Sequence, residues 1–138
     1  MILGIDYGLK RCGLSLSDEG YRYAVPLETV TAEELRSRVL ELIRDDGITA
    51  LVFGLPLGKL GEKTQMSEAI EEVARNFQND GVKIFFQDER GSTDSALLIL
   101  NQAGVHKGRR KKARDEAAAA LILQDFLDYV WPNLPKKV

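Results

Sequence analysis

An acidic residue ends the first apolar run of the chain, and the turn after it carries groups suited to phosphate chemistry. Asp6 is followed by Gly8, Lys10, Arg11 and Gly13. A carboxylate buried without a partner is costly, so Asp6 is expected to face a pocket, a cation or a partner. Glycines let the backbone approach a ligand closely, and the two cations supply positive charge. The combination is typical of a metal–phosphate site, and the alternative is a surface turn whose aspartate hydrogen-bonds its own loop.

Two further pairs of acids stand where they could join Asp6. Asp88 and Glu89 follow a strand-like run, and Asp115 and Glu116 lie where a helical pattern begins. Neighbouring strand residues point to opposite faces, so the sequence does not choose between Asp88 and Glu89. Both Asp115 and Glu116 precede apolar helical stripes, so spacing does not choose between them either. An acid at a helix start also complements the helix dipole without any chemical role.

Positive charge is concentrated in one segment of a chain whose net charge is −2. Six of the 19 basic residues fall within eight positions, which leaves 13 basic against 21 acidic residues elsewhere. These six are Lys107, Arg109, Arg110, Lys111, Lys112 and Arg114. We expect an exposed loop here that attracts a polyanion such as nucleic acid. The alternative is a solvated loop that only keeps the protein soluble.

Length and composition exclude several classes of protein. The 138 residues are expected to form a single domain over 1–138. No apolar run approaches the roughly 20 residues that span a bilayer, and no basic segment precedes the opening run as in a signal peptide. Cys12 is the only cysteine, which excludes an intramolecular disulfide and a multi-cysteine zinc site. A cytoplasmic protein without membrane association is expected, with the single histidine, His106, as a solvated loop residue.

The elements that must position these residues alternate along the chain. Thr31 and Glu34 form a capping-box pattern before the first helix. Three strands joined by tight turns predict an antiparallel meander, and later strands separated by helices predict parallel pairing. The expected fold is α/β, with a mixed five-stranded sheet flanked by helices and a ligand site at the carboxyl edge of the parallel strands. The expected strands cover 2–6, 11–17, 21–25, 48–54 and 82–86, and the later helices 65–79, 93–102 and 114–130.

Four sequence segments together resemble one family, although each is weak alone. They are DYGLKRCG at 6–13, GLPL at 54–57 followed by Gly58 and Gly61, DER at 88–90, and KARD at 112–115 leading into AAAALIL at 117–123. With these segments, the chain resembles the YqgF family, also called RuvX, of RNase H-like nucleases related to Holliday-junction resolvases. The resemblance therefore implies an RNase H-like fold.

The resemblance also implies a phosphodiester-cleaving site built on three carboxylates, Asp6, Glu89 and Asp115, which hold two Mg²⁺ or Mn²⁺ ions. Two such ions about 4 Å apart activate a water, neutralise the phosphate and stabilise the leaving oxygen. Family members often carry a hydrophobic residue and two threonines after the DER motif, where this chain has Gly91, Ser92 and Thr93. The residues expected to contact nucleic acid are Lys10, Arg11, Arg90, Lys107, Arg109, Arg110, Lys111 and Lys112.

Three functions are compatible with these residues. The resemblance implies a nuclease that processes the 5′ end of the 16S rRNA precursor, with branched DNA as the alternative substrate and a homodimer as a requirement for symmetric junction cutting. A non-cutting factor in ribosome assembly or transcription would gain nothing from three clustered acids. A phosphotransferase of the actin and sugar-kinase type shares the first phosphate loop. Such enzymes pair two domains of this kind, whereas a single domain is expected here.

Overall fold

The computed structural model describes residues 1–88 and 114–135 in full and residues 107–113 as backbone. The strands are β1 (Ile2–Asp6), β2 (Arg11–Ser17), β3 (Ala24–Thr31), β4 (Ala50–Leu55) and β5 (Lys83–Asp88). The helices are α1 (Leu35–Asp46), α2 (Gln65–Arg75) and α3 (Lys107–Asp125), followed by a π-helical turn (Phe126–Val130) and a 3-10 turn (Trp131–Asn133). None of the helices within these bounds combines the length and apolar character needed to cross a membrane.

The five strands form one mixed sheet in the order β3-β2-β1-β4-β5. β1 pairs antiparallel with β2, and β2 pairs antiparallel with β3. On the other side, β1 pairs in parallel with β4, and β4 pairs in parallel with β5. The predicted mixed five-stranded sheet is confirmed, and β1 is the strand at which the antiparallel and parallel halves meet.

Each face of the sheet has its own apolar core because strand side chains alternate between faces. Leu3 and Ile5 of β1 point toward α1 and α2, whereas Ile2 points toward α3. The first core includes Leu35, Val39, Leu42, Leu51, Phe53, Ile70, Ala74 and Phe77. The second core includes Val52, Ile122, Leu123, Phe126 and Leu127. Asp6 follows Ile2 and Gly4 on the α3 face, so this second layer covers the surface on which Asp6 lies.

Helix α3 lies unusually close to β1 and β2 because glycines remove the side chains between them. A Cβ atom on Gly4 would come within 2.5 Å of the Ser15 hydroxyl and 2.7 Å of the Leu123 Cβ. A Cβ atom on Gly13 would overlap the main-chain carbonyl of Asp115. The Ser15 hydroxyl also donates a 2.7 Å hydrogen bond to the Ala119 carbonyl. Close packing of this kind fixes the height and register of α3 on the sheet.

The prediction for the third strand is wrong, since β3 spans Ala24–Thr31 rather than 21–25. The Asp18 carboxylate accepts hydrogen bonds from the main-chain N–H groups of Arg22 and Tyr23, and Tyr21 has a φ of 57°. These features extend the turn to residue 23. The strand then continues through Pro26, which an edge strand tolerates because its N–H is not required there. The pairing register shifts between Leu14 and Ser15 to accommodate this stretch.

The predicted basic loop is also wrong, since α3 begins at Lys107 and not at residue 114. Lysine, arginine and alanine are good helix formers, so the basic run continues the helical pattern that follows it. Asp115 therefore lies in the third turn of α3, which excludes the interpretation of an acid at a helix start. The basic residues and Asp115 are carried by one continuous helix.

Smaller differences concern element ends. The two hydrogen bonds of the predicted capping box are present between the Thr31 hydroxyl and the Glu34 N–H and between the Thr31 N–H and the Glu34 carboxylate. They close the turn before α1 and do not cap the helix, whose N-cap residue is Glu34. α2 ends at Arg75 rather than 79, since main-chain bonds tighten to a three-residue spacing after it. β4 begins two residues late, and β5 extends to Asp88. The predicted helix at 93–102 lies outside the described residues.

Candidate active site

Asp6 lies at the carboxyl end of β1, half-buried on the α3 face of the sheet. Its antiparallel partner on β2 is Gly13, and the Cα atoms of such a pair lie ~4.5–5.5 Å apart. On the other side, the parallel pairing with β4 runs to Ile5 and Phe53, the residues just before Asp6 and Gly54. Because a Cβ atom on Gly13 would overlap the main chain of α3, this glycine lets the helix approach the sheet beside Asp6.

Asp115 reaches the same region from α3. Its main-chain carbonyl lies directly over Gly13, the strand neighbour of Asp6. Ala118, Ala119 and Ile122 follow Asp115 at helical spacing and are buried, so this side of α3 faces the sheet. The structure thus brings two of the three predicted carboxylates together across a glycine.

An ion pair holds Asp115 in place. The Arg11 Nε atom donates a hydrogen bond to Asp115 Oδ2 at 2.8 Å. The side chain of Asp115 is 18% exposed and that of Arg11 is 35% exposed. Sequence reasoning assigned Arg11 to phosphate contacts and missed this pairing. The sequence carries no local signal for this ion pair, because 104 residues separate Arg11 from Asp115.

Glu116 points away from Asp6. Its carboxylate accepts a 3.2 Å hydrogen bond from the Thr29 hydroxyl on β3. Thr29 pairs with Gly13 on the side of β2 opposite to Asp6. Of the two neighbouring acids left open by the sequence, the geometry favours Asp115 as the partner of Asp6.

The strand pleat also separates Asp88 from Asp6. Asp88 pairs with Leu55, whose side chain belongs to the core on the α1 and α2 face. Asp88 therefore lies on the face opposite to Asp6, whereas Gln87 lies on the α3 face in register with Gly54. Glu89 and Arg90 lie outside the described residues. Gln87 is a polar neighbour of the site that sequence reasoning passed over, because the predicted strand ended at 86.

The described acids suit a hard cation but do not by themselves complete a site. Among residues 1–88 and 114–135, no three histidine, cysteine, aspartate or glutamate side chains converge closely enough to hold a metal ion. Asp6 and Asp115 provide carboxylate oxygens, which are the donors that Mg²⁺ and Mn²⁺ prefer.

Positive charge approaches the site from two elements. Lys10 is exposed in the turn between β1 and β2, next to Arg11. The basic run of α3 precedes Asp115 on the same helix, and at 1.5 Å per residue Lys107 lies only ~12 Å from Asp115 along the axis. His106 lies outside the described residues. The Asp115 end of α3 is therefore the end at which the chain concentrates its basic residues.

Cys12 lies directly below the two acids, fully buried on the other face of β2. The pKa of its thiol is raised from 9.0 to about 11, chiefly by burial, against the lowering effect of a hydrogen bond donated to the Gly8 carbonyl, and with smaller contributions from the negative charges of Asp6 and Asp115. The adjacent Gly13 pairs with Asp6 and lies under the Asp115 carbonyl, so both acids are close to this thiol.

Cys12 is expected to make the protein less stable in alkali. The folded protein keeps the thiol proton up to about pH 11, whereas the unfolded chain loses it near 9. The stabilisation is therefore complete below pH 9 and is lost as the pH rises through 11. Urea unfolding of wild type and Cys12→Ala between pH 8 and 11 measures this, because other titrating groups are common to both. If the unfolding free energies of the two proteins change in parallel with pH, the expectation is wrong.

The solved structures that resemble this fold include resolvases. The chain is similar to Thermus thermophilus RuvC in complex with a Holliday junction substrate, with a TM-score of 0.53, 18% identity and coverage of 91% of this chain and 92% of that one. A Fowlpox virus resolvase bound to Holliday junction DNA gives a TM-score of 0.53 at 14% identity, with coverage of 92% and 96%. These likenesses define the class of fold, the RNase H-like fold of the resolvases.

The chain belongs to the RuvX family, described as Holliday junction resolvase, whose model matches residues 1–129. A relative from Chlorobaculum tepidum described as "Putative pre-16S rRNA nuclease" is 42% identical over 134 residues, covering 92% of each chain. A Roseiflexus relative with the same description is 37% identical over 133 residues, covering 92% of this chain and 93% of its own. The family resemblance predicted from the four sequence segments is confirmed.

Proposed function

We propose that this protein is a metal-dependent nuclease that hydrolyses phosphodiester bonds in structured RNA and acts in the cytoplasm on the 5′ end of the 16S rRNA precursor. The observation that carries the proposal is the convergence of Asp6 and Asp115 on the α3 face, across Gly13. The descriptions of the relatives support the choice of RNA as substrate. The basic end of α3 supports a polyanionic substrate.

Asp6, Glu89 and Asp115 would hold the catalytic Mg²⁺ or Mn²⁺. When bound, such ions activate the attacking water and stabilise the charge that develops on the phosphate and the leaving oxygen. We assign Asp6 the central position because it ends β1, the strand at which the antiparallel and parallel halves of the sheet meet. Glu89 is preferred to Asp88 because Asp88 lies on the opposite face of β5.

The cations of the chain would hold the substrate rather than take part in bond breaking. Lys10, Arg11 and Arg90 are placed by the proposal at phosphates beside the cut bond. The basic run of α3 would contact the backbone further along, where phosphate contacts fix the position of a nucleic acid without reading its sequence. The remaining members of this run are Lys107, Arg109, Arg110, Lys111 and Lys112.

Branched DNA is the second candidate substrate. The family description favours it, since it specifies a Holliday junction resolvase. Cutting two strands of a junction symmetrically requires two active sites related by a two-fold axis, so this activity would also require a homodimer.

The proposal is tested with purified protein on three substrates: the 5′ region of a 16S precursor, a four-way DNA junction and a linear duplex. We expect the precursor to be cut with Mg²⁺ or Mn²⁺ and to stay intact in EDTA. Cleavage of the junction alone would favour the second substrate. If neither the precursor nor the junction is cut with either cation, the nuclease assignment is wrong.

A further inference from the structure

We propose that the ion pair between Arg11 and Asp115 couples cation binding to nucleic-acid binding. Arg11 pairs with the Asp115 carboxylate in the structure, and it transfers to a backbone phosphate when a divalent cation binds that carboxylate. The inference rests on the proposed function, because it assigns Asp115 to the cation and Arg11 to the substrate.

The geometry of the pair is that of an exchangeable contact. One hydrogen bond of 2.8 Å joins Nε to Oδ2. Nε is the donor of this bond, and the Arg11 side chain is 35% exposed. The guanidinium carries further N–H donors in a fixed planar fork, a geometry suited to bind a phosphate oxygen pair.

Electrostatics make Arg11 and the cation competitors. Asp6 and Asp115 are like charges in one partly buried region, so a positive charge beside them offsets their repulsion. Arg11 supplies such a charge at Asp115. A divalent ion at Asp115 would repel a guanidinium 2.8 Å from the same carboxylate, so each of the two positive groups weakens the binding of the other to Asp115.

The competition produces cooperativity between cation and substrate. A phosphate that engages Arg11 weakens its hold on Asp115, and the carboxylate then binds the cation more tightly. Linkage requires the reverse effect to be equal, so the cation also strengthens binding of the nucleic acid. We expect the coupling to raise cation affinity roughly 5- to 50-fold, within the range of ordinary allosteric coupling.

The experiment is calorimetric titration of the full chain with Ca²⁺, which binds the same hard oxygen donors, with and without a short precursor RNA hairpin. Gel analysis confirms that the RNA stays intact. In wild type, the RNA should raise Ca²⁺ affinity. In Arg11→Gln, Ca²⁺ should bind more tightly than to wild type even without RNA, and the RNA should add nothing.

Two variants distinguish the effect of the ion pair from the effect of a nearby positive charge. Lys10→Gln removes one positive charge from the neighbouring exposed position, and it should weaken RNA binding while retaining the coupling. Arg11→Lys keeps the charge at the same position and should also retain coupling. Unfolding midpoints in EDTA check that each variant is folded.

The outcomes distinguish this inference from the proposed function. If Arg11→Gln binds Ca²⁺ no more tightly than wild type, or if its coupling to RNA persists, the exchange model is wrong and the nuclease proposal stands. If wild type cuts RNA equally well in EDTA, the metal-dependent nuclease proposal fails and the exchange model fails with it.

Discussion

Asp6→Asn is expected to reduce phosphodiester cleavage about 10³-fold, because the substitution removes the negative charge of the proposed central cation ligand and with it about 4 kcal/mol of transition-state stabilisation. The fold should be retained, since asparagine has nearly the same shape and lowers the repulsion with Asp115. Cleavage rates at saturating Mn²⁺, together with circular dichroism and urea unfolding, measure both effects.

Asp46→Asn provides the matched control. Asp46 is exposed at the last residue of α1, near the amino ends of the parallel strands and away from Asp6. The same chemical change there should leave the cleavage rate within about twofold of wild type, as for ordinary surface substitutions. Equal activity of Asp6→Asn and Asp46→Asn would show that the carboxylate of β1 takes no part in the reaction.

Gly13→Ala is expected to have the largest effect on stability, lowering the free energy of unfolding by about 2–3 kcal/mol. The added methyl group would overlap the carbonyl of Asp115, which is main-chain and is held by its helix. Alanine also lowers the conformational entropy of the unfolded chain, but this stabilises the folded state by only about 0.4–1 kcal/mol. Since α3 must move away, Asp115 would also lose its position over β2, and cleavage should fall with stability.

Gly20→Ala is the control for this substitution. A Cβ atom on Gly20 meets only the Asp18 carboxylate, at the ordinary contact distance of 3.4 Å. Its unfolding free energy should remain within about 0.5 kcal/mol of wild type, the usual range for surface positions. Urea denaturation of both variants measures the two free energies of unfolding. A Gly13→Ala protein as stable as Gly20→Ala would mean that α3 does not rest on β2 at this point.

The topology followed from local signals in the sequence. Short turns rich in glycine indicated the antiparallel half, and helical connections indicated the parallel half. Element ends were less predictable because they depend on single contacts. The turn before β3 is extended by hydrogen bonds to the Asp18 carboxylate, and the start of α3 depends on whether a dense run of like charges remains helical.

The candidate site was predictable only as a set of residue types. Asp6 and Asp115 were identified by motif, and the structure brings them together through Gly13, whose importance lies in the absence of a side chain. The choice between Asp115 and Glu116 required the hydrogen bond from Thr29, which joins distant parts of the chain. The choice between Asp88 and Glu89 required the strand register. The ion pair of Arg11 required the complete tertiary structure.

The separation of 104 residues between Arg11 and Asp115 has a consequence for a chain that is still being synthesised. The sheet strands leave the ribosome first, and the helix that carries Asp115 is made near the end. A nascent chain that stops before α3 has Asp6 at its strand end but lacks the opposing carboxylate. The proposed active site is therefore complete only after the helix that carries Asp115 has been translated.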